Sequence, residues 1–156
     1  MSQSSELRST HVVTCFLQRS DIQPPRILIV QRSQLVGTYH AHWAGVSGFV
    51  EPNVSPEEQA YTEIREETGL QRDQVRMIRR GTHIIDVPNE EAKREFHVHP
   101  FLFEVITPDA IKTDWEAVDM RWIEPSELSQ YETVPGLQDA YDSAIHGEQM
   151  GTDYAH

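Results

Sequence analysis

Hydrophobic and polar positions along the chain predict a domain of several strands and few helices. Segments rich in β-branched and other apolar residues, bounded by turn-forming residues, are typical of strands. Six such segments occur, at 11–18, 26–32, 46–51, 75–87, 95–106 and 119–124. Two helices are predicted near the C-terminal end, a short one in PSELSQY and a closing one in PGLQDAYDSAIHG. Strands mixed with a few helices, without strict alternation, favour an α+β layered domain.

A well-marked helix is predicted in mid-chain, over residues 56–68. Ser55 suits the N-cap and Pro56 the first helical position. Glu58, at the third position, would complete a capping box with Ser55. Gly69 then provides a typical C-terminal stop. These signals predict both ends of the helix.

Three carboxylates of this helix share one stripe of its surface. At about 100° per residue, Glu67 lies about 40° from Glu63, and Glu66 lies about 60° away on the other side. The adjoining apolar stripe, which would dock on a sheet, contains Ala60, Tyr61 and Ile64. Two interpretations follow. The carboxylates form a solvated acidic face, or they bind divalent cations, whose preferred ligands are carboxylate oxygens.

Charge and composition limit the class of ligand. Thirteen basic and twenty-five acidic residues give a formal net charge of −12, which disfavours nucleic-acid polymers but allows a small phosphorylated ligand accompanied by cations.

The single cysteine, Cys15, lies in an apolar run and is predicted to be a buried packing residue. The sequence shows neither a signal peptide nor an apolar run of membrane-spanning length, so we expect a soluble, cytoplasmic protein.

The stretch SGFVEPNVSPEEQAYTEIREETGL, residues 47–70, resembles the Nudix box G-x5-E-x7-R-E-U-x-E-E-x-G-U, in which U is a bulky aliphatic residue. The positions that match it without a gap are Gly48, Glu63, Ile64, Glu66, Glu67, Gly69 and Leu70. The resemblance covers roughly residues 10–146. It implies a single domain over 1–156 with short flexible termini, folded as an α/β/α sandwich around a mixed central sheet.

Two positions depart from the box. Val54 stands where the family has glutamate, and Thr62 where it has arginine; in the family these two form an ion pair that braces the loop against the helix. Losing both charges together can be close to neutral, whereas losing one would leave a partly buried charge unpaired. Asn53 replaces a frequent glycine, and asparagine tolerates the left-handed conformation that a tight loop requires.

The resemblance also implies a reaction. Nudix enzymes use Mg²⁺ or Mn²⁺ to hydrolyse a nucleoside diphosphate linked to another group, such as a nucleoside triphosphate, and are often homodimers. By this resemblance Glu63, Glu66 and Glu67 bind the metal, the Gly48 carbonyl is an extra ligand, and Glu66 or Glu67 is the general base. Further candidates are Asp114 and Glu116 as an additional base or ligand, Arg32 as a phosphate contact, and four aromatic stacking partners for a base: Tyr39, Trp43, Phe96 and Trp115.

Two histidine pairs raise a competing hypothesis. His40 and His42, like His97 and His99, are two residues apart and would face the same way in a strand. The four could bind zinc or iron in a cupin-like barrel, although the capped central helix argues against that fold. Alternatively, His97 and His99 line the substrate pocket. A third hypothesis, motivated by Val54 and Thr62, is a non-catalytic Nudix-like module that binds a nucleotide.

Overall fold

The structure is a computed structural model, and it describes residues 8–32, 41–86, 94–112 and 117–150. Nine strands and two α-helices account for most of these residues. The elements are β1 (Arg8–Arg19), β2 (Arg26–Arg32), β3 (Trp43–Ala44), β4 (Val46–Phe49), α1 (Pro56–Thr68), β5 (Val75–Arg80), β6 (Ile84–Asp86), β7 (Arg94–Val105), β8 (Ala117–Ile123), α2 (Leu137–Ile145) and β9 (Glu148–Gln149). Three 3-10 turns lie at Arg72–Gln74, Pro108–Ala110 and Pro125–Gln130.

The strands form one mixed sheet built around β1. β1 runs parallel to β7, from the pair Arg8 and Arg94 to the pair Gln18 and Glu104, and antiparallel to β2 and β4. The order of the sheet is β3-β2-β1-β7-β5-β9, with β4 paired to β1, β6 to β7 and β8 to β2. The predicted mixed central sheet is therefore confirmed.

Alternation along β1 divides the core into two layers. Val13, Cys15 and Leu17 belong to a cluster that includes Ile64 of α1, whereas Phe16 points to the opposite face. On that face the buried residues of α2, which are Leu137, Ala140, Tyr141 and Ala144, cover the sheet. Side chains two residues apart in a strand share a face, so β1 separates the two helices. This arrangement confirms the predicted α/β/α sandwich.

The bounds of α1 agree with the prediction from its caps. The Ser55 hydroxyl oxygen accepts a hydrogen bond from the Glu58 backbone N–H at 3.1 Å, and Pro56 occupies the first turn. Gly69 ends the helix with φ 79°, and its N–H donates to the Arg65 carbonyl at 2.9 Å. The Glu58 carboxylate accepts from Arg72 at 3.0 Å. One half of the predicted capping box, the hydrogen bond from the Glu58 N–H to the Ser55 hydroxyl, therefore forms. The Glu58 carboxylate binds Arg72 instead of completing the box.

One predicted strand is wrong in its extent. The run 75–87 contains two strands, β5 and β6, separated at Gly81. A Cβ on Gly81 would lie 2.8 Å from the Ser143 carbonyl oxygen, so α2 approaches the backbone there. A register shift between Met77 and Arg79 bends β5 against β7. The short strands β3 and β9 were not predicted, because two-residue pairings leave no periodic pattern in the sequence.

Both α-helices are short, and within the described residues no helix has the length and apolar character needed to cross a membrane.

Candidate active site

The acidic stripe of α1 lies beside β4. Glu63 and Glu67 are half-buried, and Glu66 is exposed to solvent. Gly48 of β4 lies directly against Glu63, because a Cβ built on Gly48 would overlap the Glu63 carboxylate group. Only glycine leaves this space for the carboxylate. The structure thus brings together Gly48 and Glu63, the first and the central positions of the predicted site.

A buried glutamine joins the same site to the preceding loop. Gln59 is 2% exposed, and its Nε2 donates to Glu63 Oε2 at 2.9 Å. Its Oε1 accepts from the Glu51 backbone N–H at 3.1 Å. Gln59 therefore fixes the direction of the Glu63 carboxylate and holds the β4–α1 loop at the same time. Sequence reasoning missed this residue, since glutamine at an internal helix position carries no special signal.

The inner side of the stripe faces β1. Burial raises the pKa of the Cys15 thiol well above its usual range, and the negative charges of Glu67 and Glu63 raise it further. Both carboxylates therefore act on the same buried sulfur atom, which lies 4.0 Å from the Ala60 carbonyl. Cys15 is fully buried, as predicted, and a thiol with a raised pKa stays protonated and unreactive.

The donor atoms of this site suit a hard divalent cation. Carboxylate and carbonyl oxygens are the ligands that Mg²⁺ and Mn²⁺ take, and Glu63 lies against the backbone of Gly48. Within the described residues no three acidic, histidine or cysteine side chains are already gathered around one point. Binding an ion here would require the glutamate side chains to rotate toward it. The oxygen donors of these residues therefore suit a divalent cation, but the side chains are not arranged around one point.

The departures from the box are accommodated without buried charge. The Thr62 hydroxyl donates to the Glu58 carbonyl of its own helix at 3.2 Å. Val54 is half-buried at the end of the loop. Asn53 adopts φ 65°, the left-handed conformation expected for it. The loop is thus held by a tight turn and by Gln59.

A cavity of about 500 Å³ opens next to the loop that precedes α1. Its lining comes from the start of β1, the end of β4, the loop and β7, and consists of Ser9, Thr10, His11, Phe49, Val50, Glu51, Pro52, Val54, Pro56 and His99. Small-molecule sites commonly occupy about 300–1,000 Å³. The cavity is therefore large enough for a nucleotide-sized ligand, and two of its residues directly follow Gly48.

Four histidines form a cluster at one end of this cavity, on the α1 side of the sheet. The histidine cluster consists of His11, His83, His97 and His99. Neighbouring rings lie 4.5 to 5.1 Å apart between centroids, in the order His11, His97, His83, His99. The predicted common direction of His97 and His99 is confirmed, but their neighbours are His11 and His83.

Burial and neighbouring imidazoles lower the pKa of two members of the histidine cluster, His99 and His11. Burial, followed by the repulsion of His83, His11 and His97, lowers the pKa of His99 to about 4, although Glu57 opposes this shift. Burial and the repulsion of His97 and His83 also lower the pKa of His11. At neutral pH these two imidazoles are therefore uncharged.

The other predicted residues lie away from the cavity or outside the described residues. Trp43 is 7% exposed and packs edge-to-face on Tyr131 at 5.5 Å, in the core cluster on the α2 face. His42 lies 3.5 Å from Glu132. Phe96 is half-buried in β7, and Arg32 ends β2, where only its backbone is described. The positions outside the described residues are Tyr39, His40, Asp114, Trp115 and Glu116.

Comparison with known proteins identifies the family. The sequence profile of the NUDIX domain matches residues 8–143, which is most of the chain. The chain belongs to the Nudix family. This membership makes it a hydrolase that acts on phosphoric anhydride bonds. The matched range lies inside the single domain predicted for residues 1–156.

Solved Nudix structures share this fold at low sequence identity. An Ap4A hydrolase of C. elegans in a binary complex is 15% identical with a TM-score of 0.71, over 86% of this chain and 93% of that one. The NUDIX domain of Shewanella oneidensis NrtR, complexed with ADP ribose, is 14% identical with a TM-score of 0.68, over 94% and 92%. The E. coli dihydroneopterin triphosphate pyrophosphohydrolase is 16% identical with a TM-score of 0.67, over 88% and 96%. Among curated proteins no match was found.

Proposed function

We propose that this Nudix chain is a Mg²⁺- or Mn²⁺-dependent pyrophosphohydrolase that cleaves a nucleoside diphosphate linked to another group. The substrate class is a nucleoside triphosphate or a related nucleotide derivative. The observation that carries the proposal is the contact of Gly48 with Glu63, on the helix face that also bears Glu66 and Glu67. A protein with a net charge of −12 requires cations to approach a polyphosphate, and this face supplies their ligands.

In the proposed site Glu63, Glu66 and Glu67 hold the metal, with the Gly48 carbonyl as an additional ligand. Divalent cations, when bound, would neutralise phosphate oxygens, orient water for in-line attack and stabilise charge on the leaving oxygen. Gln59 keeps Glu63 directed toward Gly48. Glu66 or Glu67 takes the proton of the attacking water.

Hydrolysis then proceeds with a balanced exchange of bonds. The water oxygen forms a bond to phosphorus, and the bond between that phosphorus and the bridging oxygen breaks. The bridging oxygen leaves with its phosphoryl group. The products are a nucleoside monophosphate, or an equivalent phosphorylated fragment, and the remaining phosphorylated group.

The cavity beside the loop is the proposed substrate pocket. His99 lines it together with Val50, Glu51 and Val54, which connect it to Gly48 and α1. His97 and Arg32 are further candidates for substrate contact, and Asp114 and Glu116 for an extra base or ligand. Trp43 does not suit this pocket, because its ring is buried on the α2 face. The expected cytoplasmic location and homodimer stay predictions, to be checked by cell fractionation and light scattering.

The substrate is identified by a phosphate-release screen with Mg²⁺ and Mn²⁺. The panel contains nucleoside triphosphates, nucleotide sugars and dinucleotides, together with the ligand types of the structural neighbours: Ap4A, ADP-ribose and dihydroneopterin triphosphate. We expect metal-dependent hydrolysis of at least one member. Tight nucleotide binding without any release would instead support the non-catalytic binding module.

Substitutions on α1 test the proposed residues. Glu66→Gln and Glu67→Gln each remove a negative charge while keeping the size of the side chain. We therefore expect turnover to fall by orders of magnitude, as it does when a catalytic base or a metal ligand is removed. Glu58→Gln is the matched control, because Glu58 lies on the same helix but pairs with Arg72. Its turnover should stay near wild type, and circular dichroism should show all three folded. Wild-type turnover in both Glu66→Gln and Glu67→Gln would disprove the assignment.

A further inference from the structure

The histidine cluster is separate from the glutamates proposed for catalysis. Three of its members come from two neighbouring strands, since His11 of β1 pairs in register with His97 of β7, and His99 follows on the same face. His83, in the β5–β6 connection, lies above the same face of β7. Four imidazoles that meet from three segments of the chain are an uncommon grouping, and the proposed hydrolysis assigns them no common role.

Two hydrogen-bonded nitrogen pairs in the cluster are nearly as far apart as two imidazole nitrogens on one metal ion. His11 Nδ1 lies 2.9 Å from His99 Nε2, and His83 Nε2 lies 2.9 Å from His97 Nδ1. Two nitrogen atoms on a tetrahedral zinc ion, each about 2.0–2.1 Å from it, are about 3.3 Å apart. Each of these two N–H···N contacts is thus within a few tenths of an ångström of the separation that a shared ion requires.

The spacing between two of the rings also suits an ion placed between them. The rings of His11 and His83 are 6.5 Å apart between centroids, so the point midway between them is about 3.3 Å from each. An imidazole centre stands about 3.2 Å from a zinc ion bound through its nitrogen, which is the Zn–N length plus the ring radius. Among the described residues no three side chains converge on an ion as they stand. Turning an imidazole about its last side-chain torsion is an inexpensive change, because that torsion is broad.

Charge around the cluster favours a cation over an anion. Glu95 Oε1 lies 2.8 Å from His97 Nε2, in the position of a carboxylate that orients a metal-binding histidine. The Glu57 carboxylate also acts on His99, although Arg80 pairs with it at 2.6 Å, and Glu51 lines the same cavity. With Glu95 and Glu51 beside the imidazoles, in a protein of net charge −12, the surroundings of the cluster attract a metal ion and repel a free phosphate.

We propose that the histidine cluster binds one transition-metal ion of the zinc type, such as Zn²⁺, Co²⁺ or Ni²⁺, at a site distinct from the glutamates of α1. The imidazole nitrogens of His11, His83 and His99 are its ligands. His97, which Glu95 holds, completes the set. Imidazole is a preferred ligand of these metals, whereas Mg²⁺ and Mn²⁺ prefer carboxylate oxygens, so the two sites select different ions.

Metal titration of untagged protein, stripped with a chelator and dialysed, tests this site. We expect one equivalent of Zn²⁺ to bind per chain in calorimetry, and Co²⁺ to give the visible absorption bands of a nitrogen-ligated ion. Two variants remove ligands: His83→Gln, at an exposed position, and the double variant His11→Gln/His99→Gln. Each should weaken Zn²⁺ binding by about tenfold or more, because even the loss of a residue that only orients a ligand has an effect of that size.

Matched variants separate the cluster from other metal-binding groups. His42→Gln and His146→Gln remove histidines outside the cluster and should leave the Zn²⁺ affinity unchanged. Glu66→Gln/Glu67→Gln should also keep it, while losing Mn²⁺ binding. Resistance of the buried Cys15 to a thiol reagent shows that each metal-free variant is folded. Equal Zn²⁺ affinity in wild type and in both cluster variants, or no Zn²⁺ binding by the wild type at micromolar concentration, would overturn the proposal.

Discussion

At the scale of single residues, the missing side chain of Gly48 shapes the site as much as the carboxylate of Glu63 does. The two meet where β4 passes α1, and no other amino acid leaves space there. Gly48 thereby allows the backbone of β4 and the Glu63 carboxylate to lie in contact. The proposed metal site, with oxygen ligands from both the backbone and side chains, would depend on this close contact.

Gly48→Ala tests this contact directly. The new Cβ would occupy the position of the Glu63 carboxylate, so Glu63 must move by an ångström or more. A displacement of that size costs about a hundredfold in rate, and overpacking costs about 1–3 kcal/mol of stability. We expect kcat to fall by about that factor, measured by phosphate release together with urea unfolding. Ser47→Ala, one residue earlier, is the control, and an unchanged kcat in Gly48→Ala would show that the contact is dispensable.

At the scale of elements, the junction between β4 and α1 is held by backbone turns and one buried amide. Asn53 gives the loop its left-handed turn, and Ser55 caps the helix. The buried Gln59 side chain of α1 accepts a hydrogen bond from the loop backbone. The family's ion pair across this junction is replaced here by Val54 and Thr62. The bonds of Gln59 hold the same two segments together without a buried charge.

Gln59→Leu should reveal this positioning role. The variant keeps a similar volume but leaves the Glu51 N–H and the Glu63 carboxylate without this partner. Loss of a contact that orients a metal ligand typically weakens metal binding by about 10–100-fold. We expect the Mn²⁺ concentration for half-maximal activity to rise by that factor. The change in kcat should be larger than the change in KM.

The control for Gln59→Leu is Thr62→Ala, on the same helix, whose hydroxyl bonds only to its own helix backbone among the bonds described. Its metal dependence should match that of the wild type. A lower melting temperature in Gln59→Leu with unchanged metal dependence would mean that the amide serves stability alone.

At the scale of the whole molecule, the sheet separates the proposed chemistry from half of the core. α1, the cavity and the histidine cluster lie toward one face of β1, and α2 covers the other. Residues under α2 therefore support the sheet without touching the acidic stripe. Stability and activity should respond differently to truncations on the two faces.

Paired truncations test this division. Ile64 and Leu137 are 0% and 3% exposed, and each change to alanine should lower the free energy of unfolding by about 2–5 kcal/mol. Only Ile64→Ala should also lower kcat at a temperature well below unfolding, because Ile64 anchors the helix that carries the glutamates. Denaturant unfolding and phosphate release on both variants measure this. Equal losses of kcat would show that the two faces are coupled through the sheet.

The sequence by itself determined the features that depend on local spacing. The caps at Ser55 and Gly69 specify the helix, and the period of the helix places Glu63, Glu66 and Glu67 on one stripe. The spacing from Gly48 to Gly69 identified the family, and the mixed sheet and the sandwich followed from that resemblance. The helix caps and the acidic stripe arise from residues that are close along the chain, so their pattern is visible in one dimension. The sheet and the sandwich were instead predicted through the family that the box identifies.

Only the tertiary structure decided which distant residues meet. Parallel pairing of β1 with β7 brings His11 beside His97 and His99, and the break at Gly81 brings His83 over them. The competing hypothesis from the sequence grouped His97 and His99 with His40 and His42, and of these His42 lies beside Glu132. Gln59 likewise gained its role only when α1 docked on the loop. Strand register is set by packing across the whole sheet, and a single strand carries no mark of the neighbour it will have.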